Sequence, residues 1–196
     1  WINPKSSGEG GYGRIVSKRS GGVGWILSFI EAQTAGDNLS LWFYQGAASV
    51  SGEWYSAALV PINQWTHVAV TYDVSSVTND PVYYINGVVV STTKTNAYAG
   101  TRHDDSGVDI LIGNNTTGTS SSTFDGEISK GSLYNRALTS TEVKDEYSGK
   151  AVSFLDIGAS QTELVVNSDF DPMTGWGSTE TTAVTGQITW SATAAQ

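Results

Sequence analysis

Sugars offer apolar C–H faces that stack on aromatic rings, and hydroxyls that need planar donors and acceptors. The 196-residue chain supplies both in Trp25, Trp42, Trp54, Tyr44, Tyr55 and Tyr98, with Asn114, Asn115, Asp104 and Asp105. In the run Leu39-Ser40-Leu41-Trp42-Phe43-Tyr44, an extended backbone sends positions 42 and 44 to one face and 39, 41 and 43 to the other. Leu39, Leu41 and Phe43 make the better core face. That leaves Trp42 and Tyr44 as expected concave-face platforms, with Trp54 and Tyr55 as a second pair. The competing reading stays open, because a two-layer β protein routinely buries large aromatics.

Metal and acid–base chemistry have fewer candidates. The loop His103-Asp104-Asp105-Ser106-Gly107-Val108-Asp109 places three carboxylates close together. Calcium takes six to eight oxygens and could combine Asp104 and Asp105 with backbone carbonyls. A solvated acidic turn is the simpler account. Asp125 is a further carboxylate candidate, and calcium is the only cofactor these residues suggest. Glu142, Asp145 and Glu146 are close in sequence but fall on a short helical segment beside Lys144, where solvated charge explains them. Hydrolysis by a Ser-His-Asp set would need His67 or His103, and the chain has no Gly-x-Ser-x-Gly elbow to present the serine. The expectation is a protein without catalysis of its own. The sequons at Asn38, Asn114 and Asn115 are of the sort a Ser/Thr-rich chain produces by chance.

The elements that must position these residues read as strands. Apolar or alternating runs occur at Gly13 to Lys18, Trp25 to Glu31, Leu39 to Gln45, Trp54 to Leu59 and Trp65 to Tyr72. More follow at Val82 to Asn86, Val88 to Thr92, Val108 to Gly113 and Phe124 to Tyr134. Gly21-Gly22, Gly36-Asp37-Asn38, Ser51-Gly52 and Asn86-Gly87 fall in the gaps as turns. Asn-Gly is the strongest of these, since it supplies the two positive φ angles of a type I′ hairpin. Thr139 to Tyr147 reads as a short helix, capped by Thr139 with Glu142 three residues on and stopped by Gly149. The fold class is therefore all-β, a two-sheet antiparallel sandwich with one short helix.

Composition agrees. Charged residues are 15 % of the chain and hydrophobic residues 39 %, so a core is available and the polar surface is built largely from uncharged groups. A net charge of −9 argues against nucleic acid as a partner. With no cysteine there is no disulfide frame, thiolate metal site or cysteine nucleophile. No apolar run reaches the roughly 20 residues of a membrane helix. Beginning at Trp1-Ile2-Asn3-Pro4, the chain reads as an interior piece of a longer protein. Residues 150–162 read as a linker, and 163–196 as the start of a second β domain or a tail, with Leu164-Val165-Val166 and Ile188-Thr189-Trp190 as β segments.

Three stretches resemble the concanavalin A-like, laminin-G-like jelly-roll family over residues 1–149. Gly13-Arg14-Ile15-Val16-Ser17-Lys18 is similar to its "xxIVSK" strand. Trp65-Thr66-His67-Val68-Ala69-Val70-Thr71-Tyr72-Asp73, with Tyr84-Ile85-Asn86-Gly87, is similar to its "W-x-H-V-A-V-T-Y-D … Y-x-N-G" core. Leu111-Ile112-Gly113-Asn114, Phe124-Asp125-Gly126-Glu127-Ile128 and Leu133-Tyr134-Asn135-Arg136-Ala137-Leu138-Thr139 resemble its closing pattern. The family's "I-D-E-V" reads Ile128-Ser129-Lys130-Gly131 here, so the calcium often held by that Asp is not expected. Glu163 to Phe170 with Thr174-Gly175-Trp176 resembles the opening of galactose-binding-like carbohydrate modules.

The resemblance implies a non-catalytic glycan-binding or adhesion module of a larger extracellular or virion protein. Its partner would be a glycan or cell-surface polysaccharide. Two other settings are implied: a structural or decoration domain of a phage particle or surface fibre, or an accessory module of a glycoside hydrolase. Family members usually carry two further strands before the segment matched by Trp1 to Pro4. Those strands pair with the closing ones. The edge near Tyr134 is therefore expected to need upstream residues or a neighbouring chain, and the fragment alone is expected to oligomerise or aggregate.

Overall fold

The computed structural model describes the backbone of residues 1–35, 38–114 and 122–150. The chain divides into two units, Trp1–Ser153 and Phe154–Gln196. The second unit, almost all of the expected linker and the β segments expected beyond residue 160 lie outside the described residues, as does the Gly36-Asp37 part of one expected turn.

Eleven strands, one α-helix and a short 3-10 turn at Glu9–Gly11 make up the described part, and the strands and helix are numbered in chain order. They are β1 (Ile2–Pro4), β2 (Arg14–Ser20), β3 (Val23–Ala35), β4 (Asn38–Gln45), β5 (Gly52–Pro61), β6 (Val68–Thr71), β7 (Val82–Ile85), β8 (Val88–Val90), β9 (Thr92–Asn96), β10 (Leu111–Ile112), β11 (Gly126–Ile128) and α1 (Ser140–Tyr147). One sheet has the order β10-β2-β3-β4-β5-β9. The other joins β6-β7-β8 to the β1–β11 pair through reciprocal bonds between Ile2 and Thr66, at 3.0 and 2.8 Å. Every pairing between named strands is antiparallel. The chain crosses repeatedly from one sheet to the other, as a jelly roll does.

The core lies between the sheets, and alternation explains its membership. Leu27 and Phe29 of β3, Leu39, Leu41 and Phe43 of β4, and Trp54 and Val60 of β5 all face inward. Tyr83 meets them from β7 with no exposed surface, and its hydroxyl donates to the Trp54 carbonyl at 2.7 Å. A buried phenol needs such a partner. Tyr72 sits at 5.5 Å from Phe43 and 5.7 Å from Trp54. Burial pushes its hydroxyl up to about 12.

The hairpin and the helix form as their sequences predict. Asn86 and Gly87 have φ of 51° and 73°, and Ile85 pairs with Val88 across the turn. Gly87 is needed twice over, since a Cβ there would lie 2.9 Å from the Tyr147 ring. At α1 the Thr139 side chain accepts from the Glu142 N–H at 3.3 Å, and the Thr139 N–H donates to Glu142 Oε2 at 2.8 Å. Arg136 grips the same carboxylate at 2.6 and 2.9 Å. Gly149 follows the helix at φ 79°.

That grip makes a pH prediction. The Arg136 guanidinium, helped by the Thr139 N–H, holds the Glu142 carboxyl down at about 2, from an ordinary 4.5. A depressed carboxyl stabilises the fold above its unfolded pKa and stops doing so as pH falls through the folded one. Wild type is therefore expected to melt above Glu142→Gln at neutral pH. The gap should close between about pH 4.5 and about pH 2. Melting curves of both proteins across that range check it, and a gap that persists at the acid end refutes it.

Several expected elements are shorter or displaced. Ser51-Gly52 is no turn: Gly52 opens β5, because its missing side chain makes room for the Trp54 ring, 2.0 Å from where a Cβ would stand. The strand expected over Trp65 to Tyr72 starts at Val68, with Thr66 contributing only a bridge to Ile2. Val108 to Gly113 shrinks to Leu111–Ile112, because Val108 is held in a turn by the Asp105 carbonyl. Phe124 to Tyr134 shrinks to Gly126–Ile128, and Tyr134 instead donates its hydroxyl to Glu146 of α1. β9 was not legible, because Thr92–Asn96 is a polar, mostly exposed edge with no apolar alternation. The closing edge differs from expectation too: β11 pairs with β1, Ile2 opposite Ile128 and Pro4 opposite Gly126.

Candidate functional site

The outer face of the six-stranded sheet gathers the aromatic candidates in rows. One row runs Arg14, Ser28, Trp42, Tyr55 and Thr93 across β2, β3, β4, β5 and β9. The next runs Ser17, Ile26, Tyr44 and Glu53. Neighbours in a row are about 4.8 Å apart, the spacing of paired strands. Trp42 is half-buried there, with Tyr12 edge-on at 6.3 Å and Tyr44 tilted at 5.8 Å. Tyr12, 45 % exposed, is carried to this spot by a turn in which Gly10 and Gly11 take left-handed φ. The indole N–H of Trp42 is cut off from water and has no acceptor among the described residues. Such a deficit costs about 1–3 kcal/mol.

Each expected residue can now be placed. Trp42 and Tyr55 lie on the outer face, half-buried, opposite each other on adjacent strands. Burial, with Glu53 adding to it, raises the Tyr55 hydroxyl pKa against a lowering bond from Thr95. Tyr44 is on the same face but is no open platform. It is buried, its ring lies 4.5 Å from the Arg19 guanidinium, and its hydroxyl meets Ser51 Oγ at 2.8 Å. Trp54 is not a platform at all. It has no exposed surface and stands in the core, its N–H donating to Asp80 at 2.9 Å. Alternation puts it there, one residue before Tyr55 on the strand. Asn114 follows β10 at the β2 margin of the sheet, and Asn115 lies outside the described residues.

The carboxylates do not converge. Asp105 is buried and accepts from Arg102 with both oxygens, at 3.0 and 3.1 Å, while Lys18 stands at 3.4 Å. Cations already fill the space a metal would take. Asp104 is exposed and caps the Ser106 N–H at 2.9 Å, and Asp125 accepts from Ser6 at 2.7 Å in a shallow cleft beside Gly8, Glu9 and Phe124. Among the described residues no three His, Cys, Asp or Glu side chains gather as a metal would need. The segment where related domains carry a calcium-binding Asp does not fit that ion here. Ser129 donates its N–H to the Trp1 carbonyl, and Lys130 faces Glu146 at 3.6 Å.

His67 is buried between Trp1 and Tyr147, at 5.5 and 5.7 Å, and burial lowers its pKa. His103 is half-buried in the loop that Asp105 anchors.

Three outer-face residues were not foreseen: Tyr12, Arg14 and Arg19. A bulge hides the arginines. Arg14 pairs with Ser28 and Val16 with Leu27, so Ile15 is an extra residue. Strict alternation groups Arg14 with Val16 and Lys18; the bulge moves it onto the face of Ser17 and Arg19.

The chain matches the family model described as the concanavalin A-like lectin/glucanases superfamily over residues 1–144. No curated protein and no solved structure matches it. Modules of this kind are in general carbohydrate-binding or adhesion-type, and laminin-G-like and lectin domains are commonly extracellular. Among the described residues no helix is long and apolar enough to cross a membrane. A matched sequence and a two-sheet jelly roll thus agree, and the chain belongs to the concanavalin A-like lectin/glucanase superfamily through a laminin-G-like domain.

Proposed function

We propose that this domain is a non-catalytic glycan-recognition module of a larger extracellular or virion protein, and that it reads its ligand on the outer face of the six-stranded sheet. The observation that carries the reading is Trp42. It is a large, half-buried ring on the outer side of the sheet, flanked by Tyr12 and Tyr55, with a donor that no described residue satisfies. A pyranose face stacks on the indole, and hydroxyls reach Tyr55, Thr93 and Glu53 along the rows. Tyr44 supports Trp42 from beneath Arg19 rather than touching sugar.

The test is a glycan array followed by titration of the best ligand. Trp42→Ala is expected to weaken binding by tenfold or more, since one aromatic platform contributes on the order of 1–3 kcal/mol by analogy with base stacking. The melting temperature should move little, because Trp42 is outside the core cluster. Unchanged affinity in a folded variant removes this face as the site. Silence across a broad array favours the structural decoration role instead.

A further inference from the structure

On the outer face of β4, Trp42 lies between Ser40 and Tyr44, and both of those are buried. On the β3 side, Ser28 stands opposite Trp42 with no exposed surface, and Ile26, two positions from it, has none either. The β5 side differs. Tyr55, opposite Trp42, is half-buried, as is Glu53, and Thr93 beyond it on β9 is exposed. The Trp42 ring is thus shut in on three sides and open on one, across β5 and off the sheet edge at β9. From β4 to β9 is two strand spacings, about 10 Å. Tyr12 makes a wall on the closed side. Its ring stands edge-on to Trp42 at 6.3 Å, and it arrives from the β2 side, since Arg14 just after it pairs with Ser28. The turn that carries Tyr12 is pinned at both ends. Glu9 donates its N–H to the Thr123 carbonyl at 3.1 Å and Gly13 to the Ser7 carbonyl at 2.7 Å, while the Gly13 carbonyl accepts from Phe29 of β3 at 3.0 Å. Backbone packs on backbone there, a Cβ at Gly13 falling 2.7 Å from the Ser7 oxygen.

We infer that this face takes the end of a glycan chain, its terminal pyranose lodged on Trp42 against Tyr12 and the next residue lying over Tyr55 and Thr93 before the chain leaves over the β9 edge. A segment from the middle of a polysaccharide has to continue in both directions from the ring on Trp42. Tyr12 and the buried row over β3 stop one of them. Tyr12 is therefore a specificity-determining residue that selects chain ends over chain interiors. With β9 the last strand of the sheet, further glycan residues meet no platform and add little affinity. This deepens the glycan-binding reading and rests on it.

The experiment titrates the full 196-residue chain with oligosaccharides of one to six residues from the β-glucan, xylan and mannan series and from any series the array selects. The parent polymers follow, before and after limited endo-hydrolysis. Affinity is expected to rise about tenfold or more from one residue to three, as Tyr55 and Thr93 come into contact, and by less than about threefold from three to six. Hydrolysis at constant mass should raise binding capacity in step with the new ends. Borohydride reduction tells which terminus is held: lost binding marks the reducing end, kept binding the non-reducing end. Tyr12→Ala should open the wall, so that uncut polymer gains binding sites along its length, while Tyr12→Phe keeps the preference for ends. Tyr12 is outside the core cluster, so both variants should fold. Should Tyr12→Ala melt early, Tyr12→Leu replaces it. Affinity that climbs steadily to six residues, capacity that follows mass rather than ends, or an end preference unchanged in the folded alanine variant overturns the chain-end inference. If the same binding is lost in Trp42→Ala, the glycan-binding reading stands without it. Silence across the array and every series overturns both.

Discussion

Trp54→Ala is expected to destabilise the domain by about 4 kcal/mol, within the roughly 3–5 kcal/mol of large aromatic truncations. The ring has no exposed surface and lies between Phe43 at 6.1 Å and Tyr72 at 5.7 Å. Removing it empties a space lined by rigid aromatics that cannot collapse into it. It also deprives Asp80 of a 2.9 Å hydrogen bond, though Lys94 remains beside that carboxylate. Against the roughly 5–15 kcal/mol of a whole domain, the variant should unfold at much lower denaturant. Trp54→Phe keeps most of the volume and loses the N–H, and should cost about half as much or less. Urea titration of the three proteins decides it. A loss below about 1 kcal/mol in the alanine variant would mean that the indole is not a core residue. Glycan affinity of Trp54→Phe should equal that of wild type.

The second large effect is expected at Asp105. Breaking a buried pair leaves uncompensated charge and costs about 3–5 kcal/mol when both partners are buried. Here the carboxylate is 10 % exposed, but Lys18 and Arg102 are 18 % and 38 % exposed, so water recovers part of the loss. Asp105→Ala should therefore cost about 2 kcal/mol, while the exposed Asp104→Ala should stay within about 0.5 kcal/mol of wild type. The shift should appear in the urea midpoint with the slope unchanged. Equal effects at the two positions would show that the ion pairs anchor nothing. Calcium titrated into wild type should leave the midpoint where it is, because Arg102 and Lys18 occupy the carboxylate.

The fold was legible because its strongest signals are local. Asn86-Gly87 fixes its own turn, Thr139 and Glu142 cap their own helix, and Leu39, Leu41 and Phe43 alternate without interruption. The site was only half legible, for reasons that follow from geometry. Face is a property of alternation, and alternation separated Trp42 from Leu41 and Phe43 correctly. Whether an outer-face ring is open depends on a neighbour from another strand, and Arg19, which covers Tyr44, sits on β2 behind a bulge that resets the count. Trp54 and Tyr55 were offered together although adjacent strand residues must part to opposite faces. Asp104 and Asp105 looked equivalent until Lys18, from distant β2, arrived beside one of them.

The pairing of β1 with β11 has a consequence for the order in which the protein can be made. Asn3 donates to Glu127 at 2.9 Å across 124 positions of sequence. Two adjacent strands of one sheet are thus the first and the last of the described strands in the chain. While the intervening residues emerge, β1 can bond to the Asn63–Thr66 segment, through the Ile2–Thr66 bridge and the Asn63 N–H donated to the Pro4 carbonyl. The nascent chain can build the β2-to-β5 meander from neighbouring strands as they appear. The second sheet must wait for Ile128, and contacts at such separation are the slow ones. Synthesis from N- to C-terminus therefore leaves one edge of β1 open until β11 emerges, a span during which a chaperone or a neighbouring nascent chain competes with β11 for the same row of hydrogen bonds.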